Sequence, residues 1–372
     1  MIKKHVLQVV GTMNCGGAES MIMNIFRKID KEKFQFHFLY YTSDKCYYDD
    51  EIRYLGGIIH RVNFSSGLSK ILIIKRLKGL MKKESIDVVH AHTSLSIGVV
   101  MYAAKRAGVP IRIAHSHTTV DSRKPSFLRN MYGVVMRNLI KKNSNCYLMC
   151  GKEAGQFLYG YDYLIKAKLL PNAIDLNEYN VSRDIIDKAM DSLSIAKDTL
   201  IIGQVGTFKE TKNHNFTIKI ASELKNRGIN YKILFAGEGE LMNNCIDYTK
   251  QLDVEESIVF LGNRSDIHIL MNVFDVMIMP SLYEGLPVTL VEAQAAGIPS
   301  VISDNISREC DMGLDLITFL SLHDSISSWT DNIIKVSNRE RIGAKTIETK
   351  IKTKGYSIEE SVKLVSEIYY GR

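Results

Sequence analysis

Asp275-Val-Met-Ile-Met-Pro280-Ser-Leu-Tyr-Glu284-Gly285-Leu286-Pro287-Val-Thr-Leu-Val-Glu292 reads as a buried strand, a tight turn and the opening of a helix. The apolar run after Asp275 suits a strand covered on both faces, as strands of parallel sheets are. Gly285 lets the chain turn, and Pro287 fits the first turn of a helix, where its missing N–H would go unpaired anyway. Glu284 then sits in the loop above the strand's carboxyl end. Glu292 follows about 7.5 Å further along the axis from Pro287, at ~1.5 Å per residue. Ligands of open α/β sheets bind outside the carboxyl ends of the strands. Two carboxylates there can accept bonds from ligand hydroxyls, while free N–H groups of the helix face anionic oxygens. A sugar joined to a diphosphate fits that chemistry.

The same alternation runs through the rest of the chain. In the first half, His5–Val10, Phe34–Tyr41, Gly57–Val62, Asp87–Ala91, Ile111–His115 and Asn145–Cys150 read as strands. Helical patterns separate most of them: Gly16 to about Ile29, Leu68–Lys83, Leu95–Ala107 and Ser126–Lys142. In the second half, strands are expected at Leu200–Val205, Tyr231–Ala236, Ser257–Leu261, Asp275–Met279 and Pro299–Ile302, with a helix at Asn213–Arg227. Strand–helix alternation implies parallel sheets covered on both faces. The fold class expected is therefore α/β, with two Rossmann-like domains facing each other across a cleft. The boundary falls near Pro171-Asn172, giving domains 1–170 and 171–372. The last amphipathic helix, about 357–370, is a candidate to pack back on the first domain.

Composition limits the function classes. At 372 residues, with 45% hydrophobic and 24% charged residues, the chain has room for two ordinary globular domains. No apolar run reaches the ~18 residues of a membrane span, and His5–Val10 is too short for a secretory signal. A cytoplasmic protein is expected. Cys15, Cys46, Cys146, Cys150, Cys245 and Cys310 are scattered, and no second pair joins Cys146 and Cys150 to complete a zinc site, so reduced thiols are expected. Residues 1–170 hold 27 Lys and Arg against 12 Asp and Glu, an excess of +15, whereas residues 171–372 carry −8. A basic half suggests an anionic partner. The Lys70–Lys83 stretch, with Arg123, Lys124, Arg129, Lys141 and Lys142, makes an anionic membrane surface the expected partner of the amino-terminal domain, peripheral on the inner face of the cell membrane. No nucleic-acid module accompanies the charge.

The stretch Ser281-Leu-Tyr-Glu-Gly-Leu-Pro-Val-Thr-Leu-Val-Glu-Ala-Gln-Ala-Ala-Gly-Ile-Pro299, with seven residues between Glu284 and Glu292, resembles the signature of glycosyltransferase family 4. Gly16-Gly17-Ala18-Glu19, Pro171-Asn172-Ala173-Ile174-Asp175 and Gly237-Glu238-Gly239 resemble other family segments in the same order. The resemblance implies the GT-B fold and retaining transfer from a nucleotide-diphosphate sugar, with a UDP-sugar expected, to a glycan or lipid-linked acceptor in surface polysaccharide synthesis. It places Gly16 and Gly17 near a diphosphate and Lys212 on the donor diphosphate. It also places Glu284 with the Gly285 and Leu286 backbone on the sugar, Glu292 on the ribose, and Asn263 and Arg264 near the base. Thr207 stands where family members commonly carry an Arg, so that either Lys209 or another cation compensates or donor affinity is lower. His117 matches the histidine near the transferred sugar, with His115 the alternate; His90 and His92 complete a cluster. Glu284 and His117 are the catalytic candidates. No Asp-x-Asp triplet occurs, so neither a metal nor another cofactor is expected. An epimerase of the same fold and a binding homologue without turnover remain as alternatives.

Overall fold

The computed structural model describes residues 3–14, 16–62, 70–121, 123–196 and 198–372, apart from the side chains of Lys70, Tyr163 and Leu164. Cys15 and residues 68–69 of the basic stretch lie outside them. The chain divides into two compact units, Met1–Ala173 with Gly355–Arg372, and Ile174–Lys354.

The amino unit holds a seven-stranded sheet in the order β3-β2-β1-β4-β5-β6-β7. Its strands are β1 (Lys4–Val9), β2 (Phe34–Tyr40), β3 (Ile58–Arg61), β4 (Val88–Ala91), β5 (Ile111–Ser116), β6 (Cys146–Met149) and β7 (Ala167–Leu169). The carboxyl unit holds a six-stranded sheet in the order β10-β9-β8-β11-β12-β13. Its strands are β8 (Leu200–Val205), β9 (Tyr231–Ala236), β10 (Ile258–Phe260), β11 (Val276–Met279), β12 (Ser300–Ser303) and β13 (Ile317–Leu320). The ladders between these strands are all parallel, with registers such as Leu7↔His37, Gln8↔His90 and Ile278↔Val301. Both sheets are thus doubly wound about a central strand, β1 in one and β8 in the other. In such sheets the strand order reverses beside the first strand, and the crevice there receives ligand.

The buried strands explain the layers. All four residues of β11 and of β4 are buried, as strands covered on both faces require. In the amino unit, one face of the sheet carries Val6, Phe34, Phe36, Phe38 and Val88, and the helix Gly17–Lys28 covers it with Met21, Ile22, Ile25 and Phe26. The helix Ile358–Tyr369 joins the same cluster through Ile358, Val365, Ile368 and Tyr369, whose ring meets Phe34 edge-on at 5.7 Å. The last helix therefore returns across the chain to the first unit. On the opposite face, the helix Lys70–Lys83 buries Leu77 and Met81. Its apolar side serves the core, although Ile71 is 79% exposed.

Two edge strands, β7 and β13, are not evident in the sequence pattern. They are only three and four residues long, and neither contains a fully buried residue. Pro287 is not in the first helical turn. It is the extended N-cap, at φ −72° and ψ 111°, of the helix Val288–Ala295, and its carbonyl accepts a bond from Leu290 N.

Candidate active site

In the carboxyl unit, the loops leaving β8 and β11 lie at the switch point, and hydrogen bonds stitch them together. Leu282 N donates to Thr211 O at 2.9 Å, and Asn213 Nδ2 donates to Pro280 O at 3.0 Å. Asn213 adopts the left-handed conformation, at φ 53°, that starts the helix His214–Asn226. Buried Gln204 of β8 donates to Lys212 O at 2.9 Å and accepts from Thr217 Oγ1 at 2.7 Å. Gly206 leaves room for the lysine stem: a Cβ there would stand 3.1 Å from Lys212 Cε. Gly237 is equally constrained, since its Cβ would come within 2.2 Å of Gly206 O.

This scaffold brings Lys212 and Glu284 together. Lys212 Nζ stands 2.6 Å from Glu284 Oε1, with side-chain exposures of 18% and 15%. The contact is an ion pair without hydrogen-bond alignment. Ser281 beside them is fully buried, and its hydroxyl has no partner. His214 Nε2 is also unpartnered; the ring stacks on Phe208 at 4.0 Å, and burial, then Lys212, lowers its pKa to about 3.

Glu292 lies on the helix Val288–Ala295. Burial raises its carboxyl to about 7, a hydrogen bond from Tyr179 opposes the shift, and Glu178 adds to it. Tyr179 ends the 3₁₀ turn Leu176–Tyr179. It lies 113 positions from Glu292 in sequence, and no local pattern marks it as a partner. Gly285 and Leu286 lie in the loop between Glu284 and this helix, both half-buried. Asn263 donates to Glu238 Oε2 at 2.9 Å, and Arg264 forks onto Asp266 at 2.8 and 2.6 Å. Thr207 is exposed, as is Lys209 two residues on.

In the amino unit, Gly16 caps the helix that Gly17 opens, and the Glu19 carboxylate folds back over it: a Cβ on Gly16 would stand 2.3 Å from Glu19 Oε2. Burial raises the Glu19 pKa, and a hydrogen bond donated by its own backbone N–H opposes the shift. An anion of the chain itself therefore occupies this helix end. The four histidines meet at the carboxyl ends of β4 and β5, His90 and His115 inside the strands and His92 and His117 just past them. His90 Nε2 is 3.2 Å from His115 Nδ1, and His92 Nδ1 is 2.8 Å from His117 Nε2. Burial lowers the His90 pKa to about 3 and the His117 pKa to about 4, and it holds His92 and His115 well below their ordinary value. One nitrogen from each of His90, His92 and His115 falls within a 4.8 Å cluster, as do donors of His37, His60 and Glu84. In the first set the ring nitrogens are already hydrogen-bonded to each other, to Gln8, to Tyr369 and to the Leu170 carbonyl. A cleft of about 630 Å³, lined by Val120, Arg137, Lys141 and Phe157 among others, contains none of these histidines.

The chain that builds this doubly wound sheet, its Lys–Glu pair and its second glutamate is similar to known proteins. The model of Glycosyltransferase Family 4 fits residues 15–178, and that of Glycosyl transferases group 1 fits residues 185–352. The putative glycosyltransferase EpsF of Bacillus subtilis (strain 168) is 40% identical over 370 residues, covering 99% of this chain and 96% of the relative. The chain belongs to glycosyltransferase family 4. A UDP-Gal:alpha-D-GlcNAc-diphosphoundecaprenol alpha-1,3-galactosyltransferase of Escherichia coli is 23% identical over 370 residues, covering 95% of this chain and 93% of that one. Anabaena HepE, solved in complex with UDP, superposes with a TM-score of 0.80 at 16% identity, over 99% of this chain and 100% of that one. That likeness establishes the GT-B type of fold. The family member described here is a glycosyltransferase of glycan biosynthesis.

Proposed function

We propose that the protein transfers a hexose from a nucleotide-diphosphate sugar, a UDP-sugar, to a hydroxyl of a glycan or lipid-linked acceptor in surface polysaccharide synthesis, with retention and without a metal. The observation that carries this reading is the Lys212–Glu284 ion pair at the switch point of the carboxyl sheet. The E. coli relative, named for a UDP-sugar and a lipid-linked acceptor, supports the choice of substrates.

The diphosphate takes the Lys212 ammonium from Glu284, because two anions then compete for one cation. Glu284, released, accepts hydroxyls of the donor sugar beside the Gly285 and Leu286 backbone. Sugar recognition is thereby coupled to phosphate arrival. Glu292 accepts the ribose hydroxyls, Asn263 and Arg264 lie by the base, and Lys209 contributes the charge that Thr207 lacks. His117 of the amino unit contacts a sugar hydroxyl. Gly16, the extended N-cap, leaves room for the Glu19 carboxylate at the start of the helix, and the donor phosphates belong to the Lys212 loop. In the transfer step, the bond from the anomeric carbon to the phosphate oxygen breaks with its electron pair on the phosphate. The acceptor oxygen bonds to that carbon on the same face, and its proton passes to the leaving phosphate. Lys212 stabilises the charge that develops there.

Docking on an anionic membrane belongs to the same reading, and we assign it to a different helix. The helix Phe127–Asn143 exposes Phe127 (78%), Leu128 (79%), Met131 (49%), Val134 (54%) and Val135 (47%). These positions repeat at i, i+1, i+4, i+7 and i+8, a single helix face. Lys141 and Lys142 close the helix.

The test is a screen of nucleotide sugars for thermal stabilisation, followed by transfer to undecaprenyl-diphosphate saccharides, with and without chelator. A stabilising UDP-sugar whose sugar moves only when acceptor is present, equally with chelator, supports the reading. Release of an epimerised nucleotide sugar without acceptor, or activity lost to chelator and restored by magnesium, overturns it.

A further inference from the structure

The register pairs Leu7 with His37 and Leu39 with His60, which puts His5, His37 and His60 on one face of the amino sheet. Leu7 and Leu39 on that face pack with Leu77 and Met81 of the helix Lys70–Lys83. His37 is fully buried, and His60 is half-buried on the edge strand β3. His37 Nδ1 lies 2.9 Å from His60 Nε2, and His37 Nε2 lies 3.0 Å from His5 Nδ1. Glu84 enters this group from the end of the helix. One ring nitrogen of each of His37 and His60 and one Glu84 oxygen all lie within 4.8 Å of one another. The backbone holds Glu84 there. Ile86 N donates to Met81 O at 2.9 Å and Ser85 N to Lys82 O at 3.3 Å, with Ser85 left-handed at φ 50°. That is the closing pattern of a helix. A helix end of this kind favours a cation, yet it carries the Glu84 carboxylate. Lys83 Nζ reaches Glu84 Oε1 only at 3.7 Å, from a side chain that is 81% exposed, and such a pair is worth little.

We propose that His37, His60 and Glu84 form a binding site for a divalent ion of the zinc type, which ties the edge strand β3 to the end of the helix Lys70–Lys83. Two imidazoles and a carboxylate are a donor set for such an ion, with a fourth position left for water. Magnesium and calcium take oxygen ligands and do not fit. Bonds of ~2.0–2.1 Å in a tetrahedron hold two ligand nitrogens about 3.3 Å apart, so the His37–His60 pair has only to open by a few tenths of an ångström. His37, ligating through Nδ1, keeps its proton on Nε2 and donates it to His5 Nδ1, the outer contact that a metal-bound imidazole ordinarily makes. The set of His90, His92 and His115 differs: it contains no carboxylate, and Gln8, Tyr369 and the Leu170 carbonyl bind its nitrogens from outside. Without the ion, His37 and His60 share one proton. Protons compete with the ion for the same nitrogens, so acid empties the site. The site is separate from sugar transfer and does not rest on the donor assignment.

The experiment is a zinc titration of the chelator-treated full chain against a chromophoric competitor, read together with melting and hydrogen exchange. The wild type should take up one zinc per chain and ignore magnesium. Zinc at 100 times its dissociation constant should raise the melting temperature by about 5 °C and slow exchange in β2, in β3 and at the end of the helix. His60→Gln and Glu84→Gln each remove one ligand and should weaken uptake at least tenfold. Both side chains are partly exposed, so the metal-free variants should melt close to the wild type, and either one suffices if the other folds poorly. X-ray absorption of the loaded protein should show two imidazoles with oxygen ligands. Failure of the wild type to take up zinc overturns the proposal. So does uptake that both variants retain; its loss in His92→Gln would then place the ion on the other histidine cluster. Transfer measured below the melting temperature should be the same with and without zinc, so either outcome for the site leaves the test of sugar transfer independent.

Discussion

Glu292, the proposed ribose acceptor, is held at a cost to the fold. Burial raises its carboxyl from 4.5 to about 7, so between those values the folded chain binds more protons than the unfolded one. The associated stability is complete below pH 4.5 and is lost as pH rises through 7. The shift corresponds to about 3 kcal/mol. Glu292→Gln keeps the shape and the bond from Tyr179 and removes the buried charge. It should therefore raise the melting temperature at pH 8 and leave it nearly unchanged at pH 4.5, while raising the donor KM about tenfold through the lost ribose contact. Equal melting shifts at both pH values would deny that the carboxylate is strained. Glu284 calls for the opposite sign in one respect. It neutralises Lys212, and Glu284→Gln frees the ammonium, so free UDP should bind about three- to tenfold tighter, as expected for release of a pair worth about 1 kcal/mol. Turnover with UDP-sugar should still fall, because the sugar loses its acceptor. Calorimetry of UDP binding decides it: weaker binding by the variant would mean that Glu284 itself contacts the nucleotide.

At the level of elements, most strands and helices were legible because their patterns are local. Leu200–Val205 and Tyr231–Ala236 stand where the apolar runs end, and Gly108, in the left-handed conformation, closes the helix Ile97–Ala107. What the sequence hid is pairing over distance. Tyr179 with Glu292 and Tyr369 beside His90 join residues whose proximity only the folded chain creates. Amphipathic helices were ambiguous for a related reason. Lys70–Lys83 and Phe127–Asn143 are both basic with apolar stripes, and periodicity does not tell a stripe facing the core from one facing outward. Leu77 and Met81 are buried, whereas Phe127 and Leu128 are more than three-quarters exposed. Full burial of such a side chain is worth about 1.5–3 kcal/mol, and each basic residue near an anionic surface adds about 1 kcal/mol. Phe127→Ser with Leu128→Ser should reduce co-sedimentation with phosphatidylglycerol vesicles at least tenfold and leave melting almost unchanged. Retained binding, or equal binding to neutral vesicles at any salt concentration, would remove this helix from consideration as the docking face.

For the whole molecule, the histidines set an asymmetry between the units. Among the described residues, the amino unit holds six whose pKa is lowered, chiefly by burial: His37 to about 4, His60, His90 to about 3, His92, His115, and His117 to about 4. In the carboxyl unit, only His214 shows such a shift. A base whose pKa is depressed by folding binds fewer protons in the folded state. Its stabilisation is complete above pH 6.5 and drains away as pH falls toward the folded value. A displacement of two to three units is worth about 3–4 kcal/mol, and linked rings such as His37 with His60, 2.9 Å apart, cannot all take a proton. Several such groups together exceed a good part of the ~5–15 kcal/mol that stabilises a domain. Acidification from pH 7 to pH 5 should therefore open the amino unit first. Hydrogen exchange should show β1, β2, β4 and β5 losing protection while β8, β9 and β11 keep theirs. Replacing His37 with Gln, which hydrogen-bonds without titrating, should lower the onset pH in the amino unit alone. If both units lose protection at one pH, or the carboxyl unit opens first, the buried histidines are not what limits the fold in acid.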